Sequence, residues 1–310
     1  MNLDQLRSFV EVASQGHFTR AAEVLHLAQP SLSRQISTLE QDLGAPLFNR
    51  TPGRVALTDA GESLLPLARR MLADADSVRR EMAELTDLQR GTVRLGATPS
   101  LCVSLVADAL QSFHASHPGI DLHVSESGSQ GLIEQLAEGA LDLALITTPE
   151  SRQTPRATLT RLPLLNEELV VVSPIDGAAA IRSPTITLEE LAAAPQVVFS
   201  RGYDLRATAE AAFLKADLRP NVVVEGPEMD AVLRFVELGL GVAVVPAMVI
   251  RGRAGFRSAR LTSSILQRTV SLAHRSDVPL SRAARAMAAT IESIAAAMVG
   301  QTPGTSSVEL

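Results

Sequence analysis

The densest chemistry in the chain lies in Gln29-Pro30-Ser31-Leu32-Ser33-Arg34-Gln35-Ile36-Ser37-Thr38. At 100° per residue, Leu32, Ile36, Leu39 and Leu43 share one side of a helix. Pro30, Ser33, Arg34, Ser37, Thr38 and Gln41 take the opposite side, which carries no carboxylate. Hydroxyls, an amide and a guanidinium at helical spacing suit contact with phosphates and base edges. The competing reading is an ordinary solvated helix face. Two more cations, Arg50 and Arg54, flank Pro52-Gly53, with Leu47, Val55 and Leu57 as short strand ends around that turn. Such a hairpin can touch the DNA backbone or minor groove.

The elements that must position these groups come before and after them. Leu3, Leu6, Phe9, Val10 and Ala13 form one apolar helix face, stopped near Gly16. Thr19 is the expected cap of a second helix, in which Ala21, Ala22 and Leu25 allow close packing. Pro30 is expected as the first residue of the third helix. Two short helices followed by a polar-faced third describe a helix-turn-helix, and the hairpin is its wing. The acids and bases of this domain balance, so any basic surface comes from placement.

Composition sets the outer limits. The 310 residues suggest about two domains. A hydrophobic fraction of 46% is ample for packed cores. Aromatics are 3%, which argues against an aromatic stacking surface for sugars or RNA. A single cysteine, Cys102, excludes an internal disulfide framework and a Cys-rich zinc site. The six histidines show no metal-ligand spacing, and no cofactor or metal is expected. A net charge of -6 excludes a bulk polycation coating nucleic acid. No apolar run is long enough to span a membrane, and the amino terminus lacks a signal-peptide pattern. A cytoplasmic protein with no membrane partner is the expectation.

Residues 21–61, AAEVLHLAQPSLSRQISTLEQDLGAPLFNRTPGRVALTDAG, resemble the LysR-type transcriptional regulators. The matching elements are the paired Ala, the QPSLSRQI core, the Leu-Glu then Leu-Gly spacing, Leu-Phe-x-Arg and the closing Leu-Thr-x-Ala-Gly. The resemblance continues, more weakly in the second half, to about residue 299. It implies an α+β chain of two parts: a winged helix-turn-helix with a long linker helix, then an α/β effector domain of two subdomains, similar to periplasmic binding proteins. It also implies DNA contacts at Gln29, Pro30, Ser33, Arg34 and Gln35, with Arg50 and Arg54 in the wing; Ser37 and Thr38 join them from the helix face. Double-stranded operator DNA, a small organic effector, a homodimer assembling to a tetramer, and RNA polymerase are the implied partners.

The linker helix, 59–90, has a signal of its own. Leu64, Ala68, Met71, Ala75, Val78, Met82 and Leu85 step by alternating 4 and 3, a heptad seam for pairing two helices. Pro66 conflicts with the helix interior, and a kink confined to the helix start is expected, with Thr58 as cap.

From Thr92 onward, short β-branched runs alternate with helical patterns, which reads as α/β units around a mostly parallel sheet. Strands are expected at 92–97, 120–125, 141–146, 168–173, 196–200, 221–225, 242–245 and 270–273. Subdomain I is 91–160 plus 268–299, subdomain II is 161–267, and the tail 300–310 reads as flexible. Ligands in such sheets bind beyond the carboxyl ends of the strands. That places Ser100 with Leu101, Ser129 with Gln130, Thr147, Phe199 with Ser200, and Pro227 with Glu228 at the cleft. Arg201 could pair with a carboxylate, which leans towards an anionic effector. Cys102 reads as a small buried hydrophobe rather than a redox sensor.

Two other function classes compete with this one. A ligand carrier would explain 91–299 and leave the first 90 residues unexplained. An enzyme would need a phosphate-cradling loop, a nucleophile elbow, a HExxH helix or a dinucleotide fingerprint, and none is present.

Overall fold

The amino-terminal helices carry their own caps. The computed structural model describes residues 1–51, 54–86, 91–149, 159–201, 203–262 and 266–308. Helix α1 (Leu3–Gln15) starts in a capping box: Asn2 accepts from the Gln5 backbone N–H and the Gln5 side chain accepts from that of Asn2. It stops at Gly16, whose φ of 62° is left-handed. Helix α2 (Phe18–Val24) is capped by His17, whose ring accepts from the Thr19 backbone N–H, so Thr19 is not the cap. The ring nitrogen of His17, two residues earlier, holds that N–H. Helix α3 (Gln29–Leu43) begins one residue before Pro30, with Ala28 at the cap position. Strands β1 (Phe48–Thr51) and β2 (Arg54–Leu57) form an antiparallel hairpin.

These elements enclose one core, built on Leu6, Phe9, Val12, Leu32, Ile36, Leu39, Leu47 and Phe48. Phe48 packs its ring against Phe9 at 5.3 Å and Phe18 at 5.8 Å. Leu43, expected on the apolar stripe, is exposed because it ends α3 beyond the core's edge. Helix α4 (Asp59–Thr86) runs on through Pro66. Its cap is Thr58, whose Oγ1 accepts from the Gly61 N–H at 3.1 Å.

The chain forms two compact units, Met1–Leu88 with Gln135–Ala140, and Gln89–Glu134 with Leu141–Leu310. In the second, β3 (Gly91–Ala97) leads into a continuous helical segment. This segment is α5 (Pro99–Leu101), a π-helical turn (Cys102–Val106) and α6 (Ala107–Ser116). Then come β4 (Ile120–Glu126), α7 (Ser129–Ala137) and β5 (Leu143–Pro149). Strand β6 (Leu159–Pro174) follows, then β7 (Thr185–Ile186), α8 (Leu188–Ala193), β8 (Pro195–Phe199), α9 (Asp204–Lys215) and β9 (Asn221–Gly226). The chain closes with α10 (Met229–Glu237), β10 (Ala243–Pro246), β11 (Phe256–Leu261), β12 (Gln267–Arg275), α11 (Arg282–Met298) and β13 (Thr305–Ser306).

The sheet is mixed rather than mostly parallel. Strand β3 pairs in parallel with β4 and β5, and β8 with β9. Strand β12 returns antiparallel to both β5 and β6. Strand β6 is the spine: Leu159–Glu168 pair with β12, and the stretch from Leu169 onward pairs with β10 and β11. Leu165 packs into one core with Val93, Phe113 and Met287, while Leu169 packs into a second with Phe199 and Val232. The changeover therefore falls near 168 rather than at 161, because the first segment of β6 still belongs to the first core.

The tail also departs from expectation. Thr305 and Ser306 pair with Glu167 and Asn166, the Gly304 carbonyl accepts from the Glu168 N–H at 2.7 Å, and Thr302 is buried. An open edge of β6 supplies the backbone partners that order it.

Candidate functional site

On the outward side of α3, Gln29, Pro30, Arg34 and Thr38 are exposed, and Ser33, Gln35 and Ser37 are half-buried. Leu32, Ile36 and Leu39 anchor the inner side in the core, each completely buried. Two of the polar groups have prior partners. Gln35 accepts a hydrogen bond from Ser8 on α1, and Thr38 donates to the Arg34 carbonyl at 2.9 Å. Glu40, beside the polar face, accepts from the Leu47 N–H at 2.8 Å and so ties α3 to the hairpin. Gly16 does the same for α1, its carbonyl accepting from the Val55 N–H at 3.2 Å. Arg50 is the third residue of β1 and Arg54 the first of β2; their side chains, with Pro52 and Gly53, lie outside the described residues.

The heptad seam divides. Ala68 is completely buried in the core of its own domain, with Leu64, Leu65 and Leu72 packed nearby. It is therefore not available to a second helix, a correction caused by α4 closing the helix-turn-helix core. Leu67, Met71, Val78 and Met82 are exposed on α4 and step by 4, 7 and 4. Ala75 lies between them, half-buried, and the Leu85 side chain lies outside the described residues. Leu67 was the position the spacing argument overlooked, because Leu64 fitted the same heptad.

In the second unit, a cavity of about 260 Å³ opens at the carboxyl ends of β3, β4 and β5 and at the start of α9. Of the expected effector residues, Ser100, Thr147, Pro227 and Glu228 line it. The others do not. Leu101 is in the first core, and Gln130 is exposed and donates to Glu134. The Ser129 hydroxyl accepts from the Thr147 N–H and donates to its carbonyl, both at 3.0 Å, stapling α7 to β5. Phe199 is buried and stacks on Tyr203 at 5.1 Å, bracing that ring. Ser200 shapes the loop, its carbonyl accepting from the Tyr203 N–H at 3.0 Å. Arg201 is exposed and off the cavity wall; Tyr203 and Asp204 take that place, because α9 begins there.

Residues overlooked by the sequence argument complete the wall: Thr98, Pro99, Glu126, Ser127, Gly128, Tyr203, Asp204, Leu205 and Arg268. Glu126 was missed because β4 runs one residue beyond its expected end. The carboxylate of Asp204 accepts from the Ser129 N–H at 3.2 Å, so the amino terminus of α7 is already met by an anion. Arg268 is buried and doubly hydrogen-bonded to the fully buried Glu167, at 2.9 and 2.7 Å. Glu167 also accepts from the Met248 N–H at 2.8 Å. Burial, then the Glu126 and Glu228 carboxylates, push the Tyr203 phenol up from its usual pKa. Among the described residues, no cluster of His, Cys, Asp and Glu could hold a metal.

Two family descriptions match the chain in register with its two units. Residues 3–62 match the bacterial regulatory helix-turn-helix proteins of the lysR family, and residues 86–295 match the LysR substrate binding domain. The chain belongs to the lysR family. This LysR-type regulator is 33% identical over 273 residues to the HTH-type transcriptional regulator YybE of Bacillus subtilis, covering 88% of this chain and 92% of that one. A full-length OxyR variant from Pseudomonas aeruginosa shares its fold with a TM-score of 0.72 and 25% identity, covering 100% and 99% of the two chains. Full-length CbnR, solved with its target DNA, matches at a TM-score of 0.68 and 22% identity, over 95% and 100%. LysR-type relatives are transcriptional regulators with an effector-binding domain, and so is this chain, which binds DNA through its helix-turn-helix domain.

In this LysR-type chain Cys102 is half-buried in the π-helical turn, its thiol 3.8 Å from the Ala97 carbonyl. Burial first, and the Glu126 carboxylate second, push its pKa up to about 11. The thiol form is held, which is the opposite of what a reactive sensor cysteine needs. Among the described residues, no helix is long and apolar enough to cross a membrane.

Proposed function

We propose that this regulator reads operator DNA with the outward face of α3 and responds to a small molecule held in the cavity of its second unit. The cavity carries the reading: Ser100 and Thr147 reach it from the first core's side and Tyr203, Pro227 and Glu228 from the second's. A molecule there touches both halves of the effector domain. In this reading residues 1–58 bind DNA, 59–90 pair the chains, and 91–299 bind effector, with the subdomains exchanging near 168 and 267.

On the DNA side, Gln29, Pro30, Ser33, Arg34, Ser37 and Thr38 approach the major groove. Gln35 does so only with its remaining amide capacity, and Arg50 and Arg54 approach the backbone from the wing. Two α4 helices pair along Leu67, Met71, Ala75, Val78 and Met82 to make a dimer, and two dimers assemble on DNA. Effector binding alters the angle between subdomains and shifts the tetramer between arrangements on its promoter, where RNA polymerase is the further partner. Linkage makes this reciprocal: DNA favouring one arrangement changes effector affinity by the same factor. The protein acts in the cytoplasm.

Selection of bound fragments from the source genome tests the DNA side. Recovery of a few discrete promoter-proximal fragments, lost with Arg34→Ala, is the expected result. Recovery of fragments without preference would remove the sequence-specific part of the proposal.

A further inference from the structure

The cavity's charge points to a ligand class opposite to the one that Arg201 suggested. Glu126, Asp204 and Glu228 line it, against one guanidinium, that of Arg268. Arg268 is already matched by Glu167, so the described wall is acidic overall. The helix amino terminus best placed for an anion, that of α7, is filled by Asp204 from the same chain. Neither Glu126 nor Glu228 has a hydrogen bond or ion pair through its side chain among the described residues.

A second observation, independent of the acids, comes from Thr98. It lines the cavity, is 4% exposed, and its hydroxyl has no hydrogen-bond partner. It occupies the cap position of α5 without capping it. A buried hydroxyl is ordinarily partnered, and one left unpartnered beside a cavity is a candidate partner for a ligand atom. Burial first raises the Tyr203 phenol, and the further rise from Glu126 and Glu228 agrees with a negative field at this wall.

We propose that the cavity binds a small organic molecule through a positively charged nitrogen, held by Glu126 and Glu228, with the Thr98 hydroxyl as a further hydrogen-bond partner. This rests on the effector reading above and names its chemical class. An ammonium carries three donors, enough for the two carboxylates and the threonine oxygen. The volume, about 260 Å³, suits a small molecule.

The chain has one tyrosine and no tryptophan, so tyrosine emission reports Tyr203 in the cavity wall alone. Full-length protein is titrated with benzylamine and agmatine, and with benzyl alcohol and benzoate as neutral and anionic counterparts. The cations should change the emission saturably, with benzyl alcohol weaker by about tenfold or more and benzoate not binding. Glu126→Gln with Glu228→Gln should weaken benzylamine by about tenfold or more. Both residues are exposed, so the fold is retained, which a thermal melt checks. Thr98→Val should weaken benzylamine, and Thr98→Ser should restore it. Benzoate binding as tightly as benzylamine, with an affinity that depends on Thr98, would overturn the cationic class and leave the effector cavity standing. Benzylamine binding unchanged in the double variant would overturn the class as well. No binding by any probe would overturn both the class and the effector reading of this cavity, while the DNA side stands on its own experiment.

Discussion

Arg34 is exposed on the one face of α3 that the core leaves to solvent, and that position makes it the most informative single residue. If it contacts a base edge or phosphate, Arg34→Ala should weaken operator binding by about tenfold or more, and relax sequence preference if the contact is to a base. Fluorescence anisotropy measures both, and unchanged affinity would take α3 out of the groove. Gly61 shows why the Leu-Thr-x-Ala-Gly ending matters physically. A Cβ at Gly61 would lie 2.2 Å from the Leu47 carbonyl oxygen, a backbone atom just before β1 that already accepts from the Thr58 N–H. Gly61→Ala should therefore destabilise the amino-terminal domain by about 1–3 kcal/mol in denaturant unfolding. Cys102 gives a prediction in pH. Its folded pKa of about 11 lies above the ordinary 9.0, so thiolate is scarcer in the folded state at neutral pH. Iodoacetamide should label it about a hundredfold more slowly at pH 8 than in the unfolded chain, with the rate rising towards pH 11. Fast labelling at pH 7 would mean that the thiol is not shielded as described.

At the scale of elements, α4 does two jobs along its length. Its first turns close the helix-turn-helix core through Leu64 and Ala68, and later turns show Met71, Val78 and Met82 to solvent. Val78→Asp should break the dimer without lowering the melting temperature of the amino-terminal domain. Ala68→Asp should lower that temperature instead. Sedimentation separates the two, and a Val78→Asp chain that remains dimeric would place pairing elsewhere. The seam was half legible because a heptad cannot distinguish a partner helix from the helix's own domain over its first turns. Strand β6 was less legible. Pro163 interrupts its pattern, which argues against a central strand. The structure accommodates it with a register shift opposite Val270 and Ser271, so the strand runs on through both cores. The order of the carboxyl-terminal segment is invisible in its composition: polar, Gly- and Pro-containing residues still order when an open strand edge supplies their bonds. Deleting residues 302–310 should therefore lower the melting temperature of the effector unit. An unchanged melt would mean that the bonds from Gly304 and Thr305 to β6 contribute nothing.

Across the whole molecule, what was legible follows how local each signal is. The helix-turn-helix is specified within 60 consecutive residues, by caps at Asn2, Gly16, Gly44 and Thr58 and by one apolar face per helix. The effector cavity is assembled from segments far apart in sequence, among them Thr98, Glu126, Thr147, Tyr203, Glu228 and Arg268. Position just after a strand marks out Ser100, Thr147, Pro227 and Glu228. Glu126 and Tyr203 escape that rule because strand ends and helix starts move by a residue or two, and Arg268 escapes it because it lies inside β12. The charge of the cavity was illegible for the same reason: it depends on Arg268 meeting Glu167 across the sheet and on Asp204 meeting α7.

One chain is proposed to join specific DNA recognition to an effector cavity, and DNA recognition is the half that can be measured first. Anisotropy of the purified full-length protein on DNA from upstream of its own gene, against unrelated DNA over a range of salt, is the most direct measurement. Binding to the upstream DNA should be at least about a thousandfold tighter than to unrelated DNA, with a salt dependence from phosphate contacts in both. Equal, weak and steeply salt-dependent binding to the two, with no preferred fragment in the genomic selection either, would contradict it.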